Sequence, residues 1–472
     1  MRLRSALVVA LAVALLATAC TRDTGTDKAS DTTAGKSSTT AATDTNRLDN
    51  GAFGDLGTVC SAGDKAAEPI SDQPGIEDTT INIGTVSDAG FAGRPGLNQE
   101  LFDSSEAVTK WCNEHGGVGG YKIALNELDA KLTEHLQRMV EACDTDFFLV
   151  GGGAVFDDAG QDTRLGCGLP DIAGYQVTPT ALDSDISLSA APTANDEWGI
   201  GDLLFAKEKF PDAIDKIGVM TGGIATTQLV AQRYQEAFPS LGFKQVYYAE
   251  YNPLGEPWKP FAQKMKDDGV EILLYVGEPQ NLAALRKAMD EIDYAPVAVL
   301  ATSNHYDESY IAEGGDAVRN TFIRGGGWPR ERADENPATA DYVELMHRYD
   351  PGGRIALLGG ASVSAWMLFL TSLHSCVEAG TVTRDCVWTE ASKQRKWTGG
   401  GLSAPVDPTK EHTLDCFTIM EATADGFVMP DFGANDGIFR CDPKAVFHSK
   451  LDLGPGAHCP SGKADPLPSE CA

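Results

Sequence analysis

The sequence predicts an α/β protein built from two doubly wound, Rossmann-like lobes, and two observations predict it. From Thr80 onward, strand-like and helix-like stretches alternate at the pitch of βαβ units, which makes parallel sheets. The same rhythm starts again at Lys216, so there are two sets and two lobes.

The elements follow in order. Residues 80–86 alternate and are rich in β-formers, and Leu97, Leu101, Ser105, Val108 and Cys112 then recur at helical spacing. Gly116, Gly117, Gly119 and Gly120 stop that helix. A strand at 121–128, a helix at 132–142 and a buried strand at 147–150 lead into Gly151, Gly152 and Gly153. The second set has strands at 216–220, 246–251 and 271–276, with helices at 227–238, 258–268 and 282–292. Further strands fall at 296–301 and 321–324. Residues 362–377 form a helix apolar almost all round, hence buried. A hairpin is expected between Leu414 and Val428, turning at Ala424 to Gly426.

The N-terminus assigns a compartment. Arg2 and Arg4 precede an apolar run at 6–16, too short for the roughly 18 residues of a membrane span. Small residues then lead to Cys20, so 1–19 has the form of a secretory signal. Cys20 stands where a bacterial lipoprotein carries its lipidated cysteine, although Ala17 occupies the position usually held by Leu. Residues 20–47 are Thr, Ser, Ala, Asp, Gly and Lys, a composition that reads as a disordered tether. Residues 48–77 are a lead-in expected to pack on the body. The formal charge of −30 argues against nucleic-acid binding.

Beyond Cys20 there are ten cysteines, an even number that reads as five disulfides in an exported chain. Spacing does not fix the connectivity. Pairing by nearness would join Cys143 to Cys167, Cys376 to Cys386, Cys416 to Cys441 and Cys459 to Cys471, leaving Cys60 for Cys112. No zinc spacing, Gly-x-Ser-x-Gly elbow, phosphate-binding Walker loop or His-Glu-x-x-His is present. Neither a metal, a cofactor nor catalysis is expected.

Three stretches carry a family resemblance: Ile81 to Val86, the string Cys112-Asn-Glu-His-Gly-Gly-Val-Gly-Gly-Tyr-Lys-Ile123, and Glu127 with Asp129 before the next helix. With these the chain resembles the type I periplasmic-binding fold, in particular the branched-chain amino-acid-type receptors of ABC transporters, over roughly residues 78–445. The resemblance implies a three-strand hinge and closure of the lobes on a ligand. Lobe one is expected at 78–193 and 326–412, lobe two at 194–325 and 413–445, and a C-terminal tail at 446–472. The first loop, with Phe91 and Arg94, departs from the family's usual Gly-Pro run. The loop after the third strand lacks its hydroxyl, and the loop 221–227 lacks its aromatic.

Ligands of open α/β sheets sit at the carboxyl ends of strands, which selects loops as the candidate site. Gly153, Ala154 and Val155 offer bare N–H groups ahead of a helix near Phe156 and Asp157, a place for an anion or else a turn made tight for packing. Tyr175, Gln176 and Thr178 follow the next strand, and Thr226 lies in the first loop of lobe two. Glu278 would neutralise a ligand ammonium or sit at a helix N-terminus. Asn304 and His305 match a family contact loop, His305 alternatively capping the following helix. Trp328, after three glycines at the second crossing, would cover an apolar or cationic group or pack between the lobes. Arg94 is a candidate anion clamp, and Phe91 a wall of the pocket.

The expectation is therefore an exported, lipid-anchored, monomeric solute-binding protein on the outer face of the cytoplasmic membrane or in the periplasm. It would hand a small polar ligand, first an amino acid or related amide, to an ABC transporter permease. The alternative is a sensing or structural surface lipoprotein of the same fold.

Overall fold

The computed structural model describes residues 46–459. The signal segment, Cys20, most of the tether and Cys471 lie outside the described residues.

Two sheets form the frame. In the first, strand Thr80–Ser87 lies between Lys122–Asp129 and Phe148–Val150, all parallel, and Asp171–Ala173 and Ser187–Ser189 extend it. The second runs Gly426–Val428, Cys416–Thr423, Thr321–Gly325, Ala298–Ala301, Ile272–Val276, Ile217–Gly222, Gln245–Tyr251. It is parallel from Thr321–Gly325 to Gln245–Tyr251, with the expected hairpin added antiparallel at its edge. This is the doubly wound two-lobe architecture, and its strands fall within a few residues of their sequence positions.

Helices cover the sheets where the apolar stripes predict. Glu100–Glu114 buries Leu101, Val108, Trp111 and Cys112. Leu357–Glu378 is long and apolar enough to cross a membrane, but most of it is buried in the first lobe's core, with Trp366, Phe369 and Leu373 inaccessible to water. The lead-in adds Leu48, Phe53, Val59 and Cys60 to the same core. The second lobe's helices Gly201–Lys209, Ala225–Leu241, Trp258–Asp267 and Pro279–Asp290 pack on both faces of the second sheet.

The chain passes between lobes three times. It leaves the first sheet after Ser189 for the helix Gly201–Lys209, returns after Gly325 to the helix Pro337–Tyr349, and crosses again between Val406 and Phe417. The second and third passages are tied by Trp328 N–H donating to Leu402 O at 2.7 Å. Beside the first passage, Glu197–Gly199 pairs antiparallel with Val446–His448.

Disulfides join Cys60 to Cys112, Cys143 to Cys167, Cys376 to Cys386 and Cys416 to Cys441, the pairing expected from nearness. Cys459 is also disulfide-bonded.

Buried carboxyls give the fold a pH dependence. Burial pushes Glu100, Asp146 and Asp157 each up to about 7. A carboxyl raised in the folded state stabilises it fully below the unfolded value near 4, and that contribution is lost as pH rises through 7. The buried His305, pushed down to about 3, and His135, also lowered by burial, act the opposite way below their unfolded value near 6.5. Asp171, pushed up to about 6 by burial, adds to the carboxyls, and the buried Lys410, pushed down to about 7, adds to the histidines; four groups outweigh three, so the thermal midpoint is expected to be higher at pH 5 than at pH 8. A midpoint that falls on acidification over this range would contradict the buried carboxyl chemistry.

Candidate functional site: a cavity between the lobes

A cavity of about 720 Å³ opens between the lobes, where strands of both sheets end. Val276 and Ala301 end second-sheet strands at its wall, and Tyr175 and Ala190 follow first-sheet strands. Most of the wall is apolar, with Phe91, Leu182, Trp198, Ile224, Leu254 and Leu357 among its members.

Nine of the thirteen expected ligand-binding residues reach this wall: Phe91, Arg94, Val155, Tyr175, Gln176, Thr226, Glu278, Asn304 and Trp328. The Tyr175 hydroxyl accepts from Asn98 Nδ2 at 2.6 Å, and burial keeps its phenol well above its ordinary pKa. Gln176 Nε2 donates to Ala181 O and Ser187 Oγ, while its Oε1 has no partner. Asn304 bridges Gly277 O and the Thr302 hydroxyl and so braces two loops at the strand ends. Trp328 donates from Nε1 to Arg332 O at 3.1 Å and packs edge-on to Phe439.

Four residues fall elsewhere, for physical reasons. Gly153 and Ala154 line a small separate cavity behind Tyr175. Thr178 caps the short helix Pro179–Leu182, accepting from Ala181 N. His305 is fully buried, edge-on to Tyr275 and Tyr310, with Nδ1 3.0 Å from Thr302 O. It does not cap the next helix; Asp307 does, accepting from Ser309 N at 2.7 Å.

The three-glycine turn is not a bare anion nest. Gly151 N–H donates to Ile172 O, Gly153 N–H to Val86 O, and Val155 N–H to Asp88 Oδ2. The glycines are there for close packing. A Cβ at Gly151 would meet Ser362 Oγ at 2.6 Å, one at Gly152 would meet Val86 N at 2.4 Å, and one at Gly153 would meet the Tyr175 ring at 2.4 Å. No helix starts at Phe156; the next begins at Gln161. Asp157 turns inward instead and accepts from Val177 N and Thr178 N, holding the loop that carries Tyr175 and Gln176.

Glu278 stands at the N-cap of the helix Pro279–Asp290, the second of its two expected places, although its side chain makes no cap hydrogen bond. It pairs with Arg94, so a first-lobe loop and a second-lobe loop are joined by an ion pair at the cavity wall. Burial lowers the Arg94 pKa, and Glu100 partly offsets this.

Sequence reasoning missed a polar group at the second lobe's side of the cavity. Arg233, Trp198, Tyr234 and Arg324 all reach the wall. Tyr234 donates to the buried Asp202 at 2.8 Å, and Arg324 supplies that carboxylate's countercharge. Gly199 makes room for Arg324, since a Cβ there would lie 2.6 Å from Nη1. Arg233 stacks over the Trp198 ring with Cζ 5.1 Å from the centroid. The available signal was a cation on the inward stripe of an amphipathic helix, Thr226, Val230 and Arg233 sharing one face.

A family model described as periplasmic binding protein matches residues 80–426. No curated protein sequence matches the chain. Among solved structures, a fatty acid ABC transporter substrate-binding protein from Thermomonospora curvata aligns with TM-score 0.68 at 15% identity, covering 80% of this chain and 96% of that one. A leucine binding protein from Thermotoga maritima aligns with TM-score 0.60 at 15% identity, covering 74% and 97%. A solute binding protein from R. palustris in complex with 4-hydroxybenzoate aligns with TM-score 0.60 at 15% identity, covering 79% and 98%.

Proposed function

The chain belongs to the periplasmic-binding-protein family, and on that premise we propose that it is a lipid-anchored, extracytoplasmic receptor that captures a largely apolar small molecule for an ABC transporter. The observation that carries this reading is the cavity of about 720 Å³ between the lobes, with its mainly apolar wall. Its size falls within the range of ligand pockets, roughly 300–1,000 Å³. Binding requires no chemistry. The ligand is held by differential contacts of the closed lobes, and the pair of Arg94 with Glu278 supports this reading because it joins a loop of each lobe.

An amino acid or amide, the first expectation, fits this wall poorly. Glu278 is engaged by Arg94, and of the N–H groups expected for a carboxylate those of Gly153 and Val155 are engaged by Val86 O and Asp88. A ligand with an extended apolar body would use the Phe91, Leu254 and Leu357 surfaces. The same fold serves the fatty acid receptor and the 4-hydroxybenzoate-bound protein, whose ligands have apolar bodies.

The test is a thermal-shift screen of the exported chain carrying Cys20→Ala, against amino acids, amides, sugars, nucleobases, aromatic acids and alkyl chains. A ligand at a hundredfold excess over Kd stabilises the fold by about 2.7 kcal/mol. Apolar-bodied compounds are expected to give dose-dependent shifts, and amino acids none. A response confined to amino acids or sugars would reject the apolar-ligand reading, and a flat response from folded protein would reject the receptor. Lipidation is checked separately by the intact mass of the wild-type exported chain, expected to start at a diacylglyceryl Cys20.

A further inference from the structure

Four arginines in the described chain are deeply buried, and in three of them every guanidinium nitrogen has a partner. Arg164 donates to Gln161 Oε1, Leu169 O, Ile186 O, Ser184 Oγ and Asp185 O. Arg384 donates to Phe147 O, Cys167 O, Gly168 O and Asp146 O. Arg286 donates to Ala317 O and Arg319 O and meets Met289 Sδ. These cations do structural work by collecting carbonyls.

The fourth is Arg233. It is 1% exposed, yet its Nε and Nη1 have no partner, and Nη2 has only Asn195 Oδ1 at 3.5 Å. Acidic groups partly offset burial at Arg164, Arg286 and Arg384, whereas burial alone acts on Arg233, lowering it to about 10. Five more buried polar atoms without partners belong to residues of the same cavity wall: Trp198 Nε1, Thr226 Oγ1 and Arg324 Nε on the second lobe's side, and Gln176 Oε1 and Thr339 Oγ1 on the first lobe's side. On the second lobe's side every one of these atoms can donate. A cluster of buried donors without acceptors is costly to the protein alone, each group by about 1–3 kcal/mol, and is retained only where something else supplies the acceptor.

We propose that Arg233, with Arg324, Trp198 and Thr226, is the anchor for the acidic group of the ligand, so that the protein selects organic acids with an apolar body. The inference rests on the receptor reading above. It moves the anion site from the first lobe's glycine turn to the second lobe. The guanidinium offers a carboxylate charge-assisted N–H donors that the protein leaves unused, and the apolar wall takes the remainder of the molecule.

The test compares decanoate and 4-phenylbutyrate with their primary amides and with decylamine, on the exported Cys20→Ala chain and on the same chain with Arg233→Met, by calorimetry and thermal shift. The unmodified site is expected to bind each carboxylate roughly 30-fold or more tighter than its amide, the discrimination that a buried charged partner supplies. Arg233→Met is expected to erase that preference. It is also expected to raise the midpoint of the ligand-free protein, because an uncompensated buried charge is replaced by an apolar side chain of similar length. Amide or amine binding equal to carboxylate binding overturns the inference and leaves the receptor reading standing. So does a preference that survives in Arg233→Met. No binding by either carboxylate also overturns it, and the wider screen then decides separately whether the cavity binds another class. A ligand-free Arg233→Met protein that melts well below its parent would make Arg233 a structural arginine and equally overturn the inference.

Discussion

Arg164→Met is expected to cost about 3–5 kcal/mol of folding stability, the loss typical of removing one partner from a buried charged network. Arg164 is 0% exposed and sits at the centre of five donated hydrogen bonds. Methionine fills much of the volume but leaves the carbonyl of Leu169 without a donor, and those of Ile186 and Asp185 with only Asp171 N–H and Ser184 Oγ, in a place water hardly reaches. It also leaves the buried Asp171, whose charge Arg164 offsets, less compensated. The measurement is guanidinium unfolding at fixed pH, in which the midpoint should fall with little change in slope. A loss below about 1 kcal/mol would mean the freed carbonyls find other partners, against the saturation argument. The same substitution at Arg233 is expected to move stability in the opposite direction. One pair of isosteric changes therefore separates an arginine that serves the fold from one that serves a ligand.

Trp366→Ala is expected to destabilise by a similar amount, about 3–5 kcal/mol, through lost transfer energy and the void it leaves. The indole is fully buried in Leu357–Glu378, edge-on to Phe369, and Nε1 donates to Ser105 Oγ at 2.7 Å. Ser105 Oγ lies 3.3 Å from Ser362 Oγ and accepts from Thr85 Oγ1, so the loss also frees a small buried hydroxyl network. The backbone at Gly151 rests directly on this ring. The void therefore opens beneath the turn whose last glycine touches Tyr175, and ligand affinity should fall together with stability. Trp366→Phe keeps most of the volume and should cost markedly less. If the two variants were equally destabilised, the hydrogen bond rather than the packing would dominate. If Trp366→Ala melted like the parent, the helix would not be the first lobe's core.

Much of the frame was legible because its cause is local. The stripe Leu101, Val108, Cys112 and the apolar strand 272–276 report which faces are buried without reference to anything distant. The loops holding Tyr175, Gln176 and Asn304 were legible because a strand's carboxyl end is where an open sheet admits a ligand. Roles within those loops were not. Glu278 looked free for an ammonium because Arg94, its partner, is contributed by the other lobe. The glycines 151–153 looked like an anion nest because three consecutive glycines fit either close packing or ligand approach. Only the neighbours Ser362, Val86 and Tyr175 distinguish the two. Arg233 was passed over for a related reason. An arginine on an inward stripe can run its stem along apolar surface and reach water, and whether it does depends on Trp198 from the first crossing and Asn195 just before it.

Periodicity along the chain was thus enough for the two α/β lobes and the buried apolar helix, while the four disulfide pairings seen among the described residues agree with pairing by nearness, which spacing alone did not fix. The lobes and the helix depend on contacts whose signature repeats within a few residues. The partner of each charge was decided by the tertiary structure alone. A buried carboxylate or guanidinium is defined by what remains unpaired after the lobes come together, and that is a property of residues far apart in the chain. Asp157 ended holding a loop, Glu278 holding Arg94, and Arg233 with donors to spare, although all three looked alike as isolated charges beside apolar runs.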